Sequence, residues 1–170
     1  MAITFVQECV ALQCKLTPGM KKITAIIIVC LPALFASAQT ATDSIKTVVN
    51  NLFVAMKNSD GEGVKKCFAE GAILQTIVTN KELKTIIESD SVETFARIVQ
   101  SMPKDAADEK VVFDVIHIDG PMAAVWAPYE FYFKGQFSHC GVDHFVLIRQ
   151  ERQWKIQYLI DTRKKQGCKD

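Results

Sequence analysis

A succession of four strand-like segments fills the carboxy-terminal part of the chain and constrains the fold more than any other feature. The segments are rich in β-branched and aromatic residues and span 110–119, 122–133, 136–149 and 154–162. Short turn sequences separate them at Asp119-Gly120-Pro121, Lys134-Gly135 and Glu151-Arg152. Because strands joined by such short turns pair with their neighbours in antiparallel fashion, we expect an antiparallel meander.

The part of the chain before this meander combines helical and strand patterns. Apolar spacings of three and four, β-branched runs and a capping sequence predict helices at 45–56 and 64–68, strands at 72–79 and 82–88, and a third helix at 92–102. The order is therefore two helices, two strands, one helix and four strands. It predicts an α+β domain whose antiparallel sheet is covered by helices on one face.

Residues 20–38 have the pattern of a secretory signal peptide. Lys21 and Lys22 precede an apolar run, and Ala36-Ser37-Ala38 forms a small-residue cleavage site. The run is shorter than the ~20 residues that span a bilayer, and Pro32 interrupts it. We therefore expect an exported protein, periplasmic or extracellular, without a membrane anchor after cleavage.

These features divide the chain into three parts. Residues 1–19 have no domain-like pattern, and we expect them to be an upstream extension, with translation starting at Met20. The signal peptide at 20–38 follows, and 39–170 form a single domain, long enough to bury its own core.

The charge of the chain excludes one class of partner. Lys and Arg number 20 against 19 Asp and Glu, for a formal net charge of +1, and only 163–165 form a basic cluster. Nucleic-acid binding requires clustered positive charge, so we expect no nucleic-acid partner. The sequence also has no glycine-rich phosphate loop, and we expect no cofactor.

Three of the six cysteines follow the signal peptide: Cys67, Cys140 and Cys168. Disulfides persist in exported proteins, and an odd number suggests one bridge and one free thiol. A regular final hairpin would bring Arg163 to Cys140, with only the four residues 164–167 between Arg163 and Cys168, so we predict a Cys140–Cys168 disulfide with Cys67 free and buried. No Cys-x-x-Cys motif occurs, and we expect no metal site.

The hairpin WAPYEFY…FSHCGVD, the terminal IDTR and the order of elements resemble the nuclear transport factor 2-like superfamily. The similarity is to SnoaL-like and lumazine-binding types of small exported bacterial protein, and it covers about 42–163. It implies a curved antiparallel sheet, rolled into a cone-like barrel, with helices closing over a pocket. The superfamily includes isomerases, dehydratases, binding modules and dimerising partners, so the resemblance implies no single function.

Three titratable side chains, Glu130, His139 and Asp143, interrupt the apolar hairpin. A two-residue turn at 134–135 would pair Glu130 with His139 and place all three on one face. We predict that this face lines the pocket and holds Trp126, Glu130, Tyr132, Phe137, His139, Asp143, Phe145, Leu147, Ile156, Tyr158 and Ile160. A one-residue register shift would reverse the faces, and a bulge near Gly141 would turn Asp143 alone.

Three functions are consistent with this arrangement. The first is an exported domain that binds a small molecule against Trp126, Tyr132, Phe145 and Tyr158. The second is an isomerase, dehydratase or cyclase in which His139 acts as general acid or base, oriented by Glu130 or Asp143. The third is a purely structural dimerising module, in which Glu130 and His139 form an internal ion pair. An open cavity that contains the polar groups would favour the first two.

The opposite face of the predicted sheet is also apolar, with Tyr129, Phe131, Val142 and Val146 in the same hairpin. Such a surface is too apolar to be left in water. We therefore expect a homodimer that packs through this face.

Overall fold

The computed structural model describes residues 40–168, which belong to the compact unit Gln39–Asp170. The predicted upstream extension and signal peptide lie outside the described residues. The elements are α1 (Ala41–Lys57), α2 (Gly61–Cys67), β1 (Phe68–Thr79), β2 (Thr85–Ser91), α3 (Val92–Ser101), β3 (Ala107–Val111), β4 (Val115–Asp119), β5 (Met122–Phe133), β6 (Gln136–Gln150) and β7 (Gln153–Thr162). Over the same residues, no helix is long and apolar enough to cross a membrane.

Side-chain caps begin the two longer helices. The Thr40 hydroxyl accepts a hydrogen bond from the Asp43 backbone N–H at 3.1 Å, and Ser91 caps α3 by accepting from Thr94 N–H at 3.1 Å. These caps satisfy backbone donors that have no partner within the helix. The apolar stripe of α1 then packs into the core through Ile45, Val49 and Leu52.

The predicted α+β fold is confirmed: three helices pack on a curved, unclosed sheet of seven strands. The strand order is β2-β1-β7-β6-β5-β3, and β4 also pairs with β5. Two details of the prediction were wrong. The sheet is mixed, because β1 and β7 pair in parallel. The expected single strand at 110–119 is two strands, β3 and β4, which pair with different parts of β5.

The register of the β5–β6 hairpin differs from the predicted one. Phe133 pairs with Gln136 and Tyr132 with Phe137 as expected, but Phe131 then pairs with His139. Ser138 is therefore an extra residue on β6, and one extra residue reverses which side chains share a face. The bulge lies before His139 and not near Gly141, so His139 and Asp143 keep a common face.

A second irregularity shifts β7 against β6. Leu147 pairs with Ile156, whereas Val146 pairs with Tyr158, so one extra residue lies on β7 between these pairs. This shift carries Asp161 to the concave face opposite Asp143, although the regular hairpin placed it on the outer face.

The concave face of the sheet, covered by α1 and α3, therefore differs from the predicted inner face. Tyr129 and Phe131, which were expected on the outer face and in a dimer contact, line the concave side. Trp126, Glu130, Tyr132 and Tyr158, which were expected inside, lie on the outer side. The reason is local: the two extra residues in β6 and β7 reverse the alternation that the uninterrupted strands would have.

A short carboxy-terminal tail is fixed to β6. A disulfide joins Cys140 to Cys168, while Cys67 is buried and free. Cys140 and Lys164 also exchange two backbone hydrogen bonds of 2.9 Å. The tail thus continues the β6–β7 pairing for one more residue pair and holds Arg163 close to the sheet.

Candidate functional site

A cavity of about 270 Å³ lies between α1, α3 and the concave face of the sheet. Its helix side is apolar and is formed by Leu52, Phe53, Met56, Phe95, Ile98, Val99 and Met102. Its sheet side carries the polar groups Thr76, Glu109, Tyr129, His139, Asp143, Asp161 and Arg163. A ligand in this space would meet apolar contacts at one end and hydrogen-bonding groups at the other.

The polar groups come together because four strands present them in adjacent rows. Glu109 of β3 pairs with Phe131 of β5, which pairs with His139 of β6. Four residues along β6 from His139, Asp143 pairs with Asp161 of β7. Side chains two residues apart on a strand share a face, so both rows point into the cavity.

Gly141 gives Tyr129 the space to reach between the two rows. The two residues are cross-strand partners, and a Cβ on Gly141 would lie 3.0 Å from the Tyr129 ring and would collide with the Thr162 carbonyl. The absence of a side chain lets the Tyr129 ring lie over β6, and its hydroxyl reaches Asp161 at 3.2 Å and the Thr162 carbonyl oxygen at 3.0 Å. Any larger residue at 141 would displace these contacts.

Asp161 is the centre of a hydrogen-bond network at the sheet end of the cavity. Its Oδ1 accepts from the Thr76 hydroxyl at 2.6 Å, and its Oδ2 accepts from Arg163 Nε at 2.8 Å. Arg163 Nη2 also donates to the Thr76 hydroxyl at 3.1 Å. Burial alone would lower the pKa of Arg163, but the hydrogen bond and charge of Asp161 outweigh it and raise that pKa. The guanidinium therefore stays charged, and its charge is paired with Asp161.

Glu109 and Asp143 form a pair of carboxyl groups beside this network, with Asp143 buried and Glu109 partly buried. Burial raises the pKa of Glu109 to about 7, against the opposing effect of a hydrogen bond with Asp143. Burial and the neighbouring Glu109 raise the pKa of Asp143 well above its usual range. Two adjacent buried carboxyl groups cannot both ionise readily, so the pair shares a proton near neutral pH.

One oxygen of Asp143 has no hydrogen-bond partner among the described residues, although its carboxyl group also contacts Glu109. The residue is 4% exposed, and its buried Oδ2 has no hydrogen-bond partner among residues 40–168. A buried polar atom without a partner costs about 1–3 kcal/mol. The site therefore contains an acceptor that a donor from a bound molecule could satisfy.

His139 lies at the side of the carboxyl pair in an aromatic setting. Its ring is 5.0 Å from the Phe131 ring and 5.7 Å from the Tyr129 ring, and Nδ1 is 3.0 Å from the Ser138 hydroxyl. Burial and the charge of Arg163 lower the pKa of His139, so the imidazole is mostly neutral at pH 7. Burial and Asp161 raise the pKa of Tyr129, so its hydroxyl remains a donor.

The structure brings together only two of the three predicted acid–base residues. His139 and Asp143 border the cavity. Glu130 faces away from it and accepts a hydrogen bond of 2.8 Å from the Tyr132 hydroxyl, so the predicted Glu130–His139 pair was wrong. The bulge at Ser138 separates them, because it pairs Glu130 with Cys140.

The four predicted ligand-contact residues do not border the cavity. Trp126 is 47% exposed on the outer face, where its ring lies 5.9 Å from the His144 ring. Tyr132 and Tyr158 are also on that face. Phe145 is fully buried and packs edge-on against Phe53, so it supports the cavity wall from behind.

Five polar residues of the site were not predicted from the sequence: Thr76, Glu109, Tyr129, Asp161 and Arg163. Asp161 and Arg163 lie in the IDTR segment that carried the resemblance, which was a signal of their importance. Glu109 lies just before the predicted strand at 110–119, and no local pattern distinguishes it from a surface acid. Over the described part of the chain, no group of His, Cys, Asp and Glu is arranged to hold a metal ion.

A family model described as "Putative lumazine-binding" matches residues 40–158. The chain belongs to this family. The lumazine-binding match spans α1 to β7 and includes Glu109, His139 and Asp143, whereas Asp161 and Arg163 follow its end. A search of the curated proteins finds no match.

Solved structures show the same fold at low sequence identity. A nuclear transport factor 2-like protein of unknown function from Shewanella baltica is 15% identical, with a TM-score of 0.58 over 73% of this chain and 94% of that one. A similar protein from Methylobacillus flagellatus is 18% identical, with a TM-score of 0.57 over 73% and 92%. A domain of unknown function with a cystatin-like fold from Nostoc punctiforme is 19% identical, with a TM-score of 0.58 over 75% and 81%. Together with the family match, these similarities confirm the predicted superfamily. By themselves, at this identity, they establish the fold alone.

Proposed function

We propose that this lumazine-binding family domain binds a small organic molecule in the cavity between α1, α3 and the concave face. One observation carries the proposal: Oδ2 of Asp143 is buried beside Glu109, in the wall of an open cavity, and has no hydrogen-bond partner among the described residues. Cavities that bind ligands are mostly apolar with a few convergent polar groups, and this one has that composition.

The two ends of the cavity indicate how a ligand would lie. Phe53, Phe95 and Phe131 offer aromatic surface for a flat or apolar body. Asp143 and Tyr129 offer hydrogen-bonding groups for a polar edge. The family's description makes lumazine the first molecule to test, since lumazine is a planar bicyclic heterocycle with N–H and carbonyl groups along one edge.

Isothermal titration with lumazine and a fragment set of neutral, cationic and anionic heterocycles tests this proposal. Ile98→Trp would fill the mouth of the cavity from a half-exposed helix position, and Asp143→Asn would alter its polar end. We expect both changes to weaken binding at least about tenfold. Ile98→Trp would do so by occupying the space of the ligand, and Asp143→Asn by removing one charge-assisted hydrogen bond.

Glu130→Gln is the matched control, because it removes a carboxyl group from the same hairpin outside the cavity. It should leave binding unchanged. A fragment set without any binder, or binders that Ile98→Trp leaves unaffected, would refute the proposal.

Acid–base catalysis is a second candidate, favoured by the pKa of Glu109, which burial raises to about 7. A group with such a pKa at a cavity wall can both accept and donate a proton near neutral pH. In an isomerase, dehydratase or cyclase of this type, Glu109 would take the general acid–base role first expected of His139, with Asp143 and neutral His139 beside it.

Deuterium exchange separates catalysis from binding alone. A ligand found by titration would be incubated in D₂O with the protein, and exchange at its acidic C–H positions followed by NMR. Catalysis predicts exchange that Glu109→Gln reduces about 10²-fold or more while binding persists. An exchange rate equal to that without protein would exclude this candidate.

Export is a separate part of the proposal and rests on the signal-peptide pattern at 20–38 together with the disulfide between Cys140 and Cys168. Disulfides of this kind persist in oxidising compartments. Amino-terminal sequencing of the mature protein from its host should begin at Gln39. An intact segment 20–38 on protein recovered from the cytoplasm would contradict export.

A further inference from the structure

The charged groups that border the cavity are mostly of one sign. Five carboxyl side chains line it: Glu88, Asp90, Glu109, Asp143 and Asp161. Arg163 is the single Lys or Arg side chain among its described lining residues, and its guanidinium is bound to Asp161 and Thr76. His139 is mostly neutral at pH 7 because burial and Arg163 lower its pKa. The cavity therefore has an excess of acidic groups that no protein cation balances.

This excess affects which ligands can enter. A carboxylate or phosphate would meet Glu109 and Asp143 at the polar end, where like charges repel more strongly than in bulk water because Asp143 is largely removed from solvent. Among the described residues that line the cavity, Arg163 is the one cation that could compensate, and it is already paired with Asp161. A protonated nitrogen would be attracted by these carboxyl groups, since it brings positive charge to a site whose one described cation is already paired.

The surroundings of Asp143 also favour a ligand that carries a hydrogen-bond donor, because its Oδ2 has no partner among the described residues. It is an acceptor in the cavity wall, so it requires a donor. Glu109, beside it, shares its proton with Asp143 at neutral pH. An N–H donor with a positive charge would satisfy the acceptor and allow the shared proton to leave.

We propose that the cavity selects ligands in which a protonated nitrogen, such as an amine, an amidine or a protonated amino-heterocycle, is attached to an apolar or aromatic body. The nitrogen donates to the Glu109–Asp143 pair, and the body packs against Phe53, Phe95 and Phe131. The inference rests on the proposed function, because it specifies the ligand class of the same cavity.

Three probes of nearly identical shape test the charge preference directly: benzamidine, a cation; benzamide, which is neutral; and benzoate, an anion. Titration at low ionic strength should give benzamidine an affinity at least about tenfold above that of benzamide, from the added charge-assisted hydrogen bonds. Benzoate should not bind measurably. Equal affinities, tighter binding of benzamide or benzoate, or no binding by benzamidine would each overturn the inference.

Variants locate the preference at the carboxyl pair. The double substitution Glu109→Gln with Asp143→Asn should reduce the benzamidine preference to about twofold or less. Glu130→Gln should preserve it, because Glu130 lies on the outer face of the same hairpin. A preference that survives the double substitution would show that the pair is not the recognition element. Circular dichroism of each variant verifies that the fold is intact.

Proton release provides an independent readout. The carboxyl pair faces Tyr129 of β5, His139 of β6, Asp161 of β7 and the adjoining Arg163, with Glu88 and Asp90 of β2 also on the cavity wall. Benzamidine binding at pH 6.5 should release up to one proton, seen as different titration heats in phosphate and Bis-Tris buffers, which both buffer at this pH. No difference in heat between the buffers for wild type would overturn the displacement of the shared proton.

The outcomes separate this inference from the broader function. If heterocycles bind in the cavity without any preference for cations, the domain remains a small-molecule-binding protein and only the ligand class is wrong. If no fragment responds to Ile98→Trp, the cavity does not bind ligands and both proposals fail.

Discussion

At the scale of single residues, Asp143 and Glu109 show how a position in the fold changes the chemistry of a side chain. Each is an ordinary acid in the sequence, and each acquires a raised pKa because the concave face removes it from water beside another carboxyl group. Glu130, a few residues from both in the sheet, accepts a hydrogen bond from Tyr132 on the outer face. The register set by the bulge, and not the residue type, places Glu130 on the outer face and the other two acids on the concave face.

The raised pKa of Glu109 predicts that the folded state loses stability as the pH rises. Below pH 4.5 Glu109 is protonated in both states, while between 4.5 and about 7 the unfolded chain has lost a proton that the folded protein keeps. The free energy of unfolding should therefore fall across this window, by up to about 3 kcal/mol. Asp143 acts in the same direction.

Urea unfolding at a series of pH values measures this effect. The difference between wild type and the Glu109→Gln, Asp143→Asn double variant isolates the carboxyl pair from other titrating groups. The variant should gain stability relative to wild type as the pH rises from 4.5 to about 7, whereas Glu130→Gln should follow wild type. A difference that is constant with pH would show that the pair is not perturbed in the folded state.

At the scale of elements, the β5–β6 hairpin and the tail that follows β7 assemble the site. Ser138 sets which side chains of β5 and β6 face the helices. The tail then passes beside Cys140, where the disulfide and two backbone hydrogen bonds hold it. Arg163 lies between β7 and this fixed point, so the disulfide restricts the segment that supplies the cation of the Asp161 network.

Removal of the disulfide should destabilise the domain under oxidising conditions. The bridge closes a loop with a sequence separation of 28, for which the chain-entropy relation gives roughly 3–4 kcal/mol. Cys168→Ser should lower the free energy of unfolding by up to this amount. In a reducing buffer, wild type and variant should unfold alike, which serves as the control. Equal stability under oxidising conditions would contradict a structural role for the bridge.

At the scale of the whole molecule, the outer face of the sheet carries exposed apolar side chains that the fold of one chain does not bury. Exposed apolar side chains on it include Ile73, Met122, Trp126 and Phe137. Tyr129 and Phe131, predicted for this face, lie on the concave side instead, and other side chains make the outer face apolar. Exposed apolar side chains in this number on one face favour an interaction site.

We propose that this face forms a homodimer, which retains the expected assembly with a corrected set of contacts. Sedimentation velocity at micromolar concentration should show a dimer for wild type and a monomer for Trp126→Glu, since a buried unpaired carboxylate opposes association. Val54→Glu, at an exposed apolar position of α1, is the control and should remain dimeric. A monomeric wild type would refute the proposal.

The order and approximate bounds of the elements could be predicted from the sequence because their signals are local. Helical spacing, the Ser91 cap and the turn at Lys134-Gly135 each depend on a few neighbouring residues. The boundaries of β5 followed from the turns on either side of it. The proximity of Cys140 to the tail followed from the same strand and turn pattern.

Only the tertiary structure decided which residues form the site. An extra residue in β6 and another in β7 exchange the two faces of the hairpin, and no local pattern marks Ser138 as a bulge. The parallel pairing of β1 with β7, which brings Thr76 to Asp161, joins residues 85 positions apart. The sequence by itself determined a helix-covered sheet with acids and a histidine in its hairpin. Long-range packing determined that Glu109, Asp143 and Asp161, and not Glu130, meet in the cavity, because register depends on how the whole sheet curves around its core.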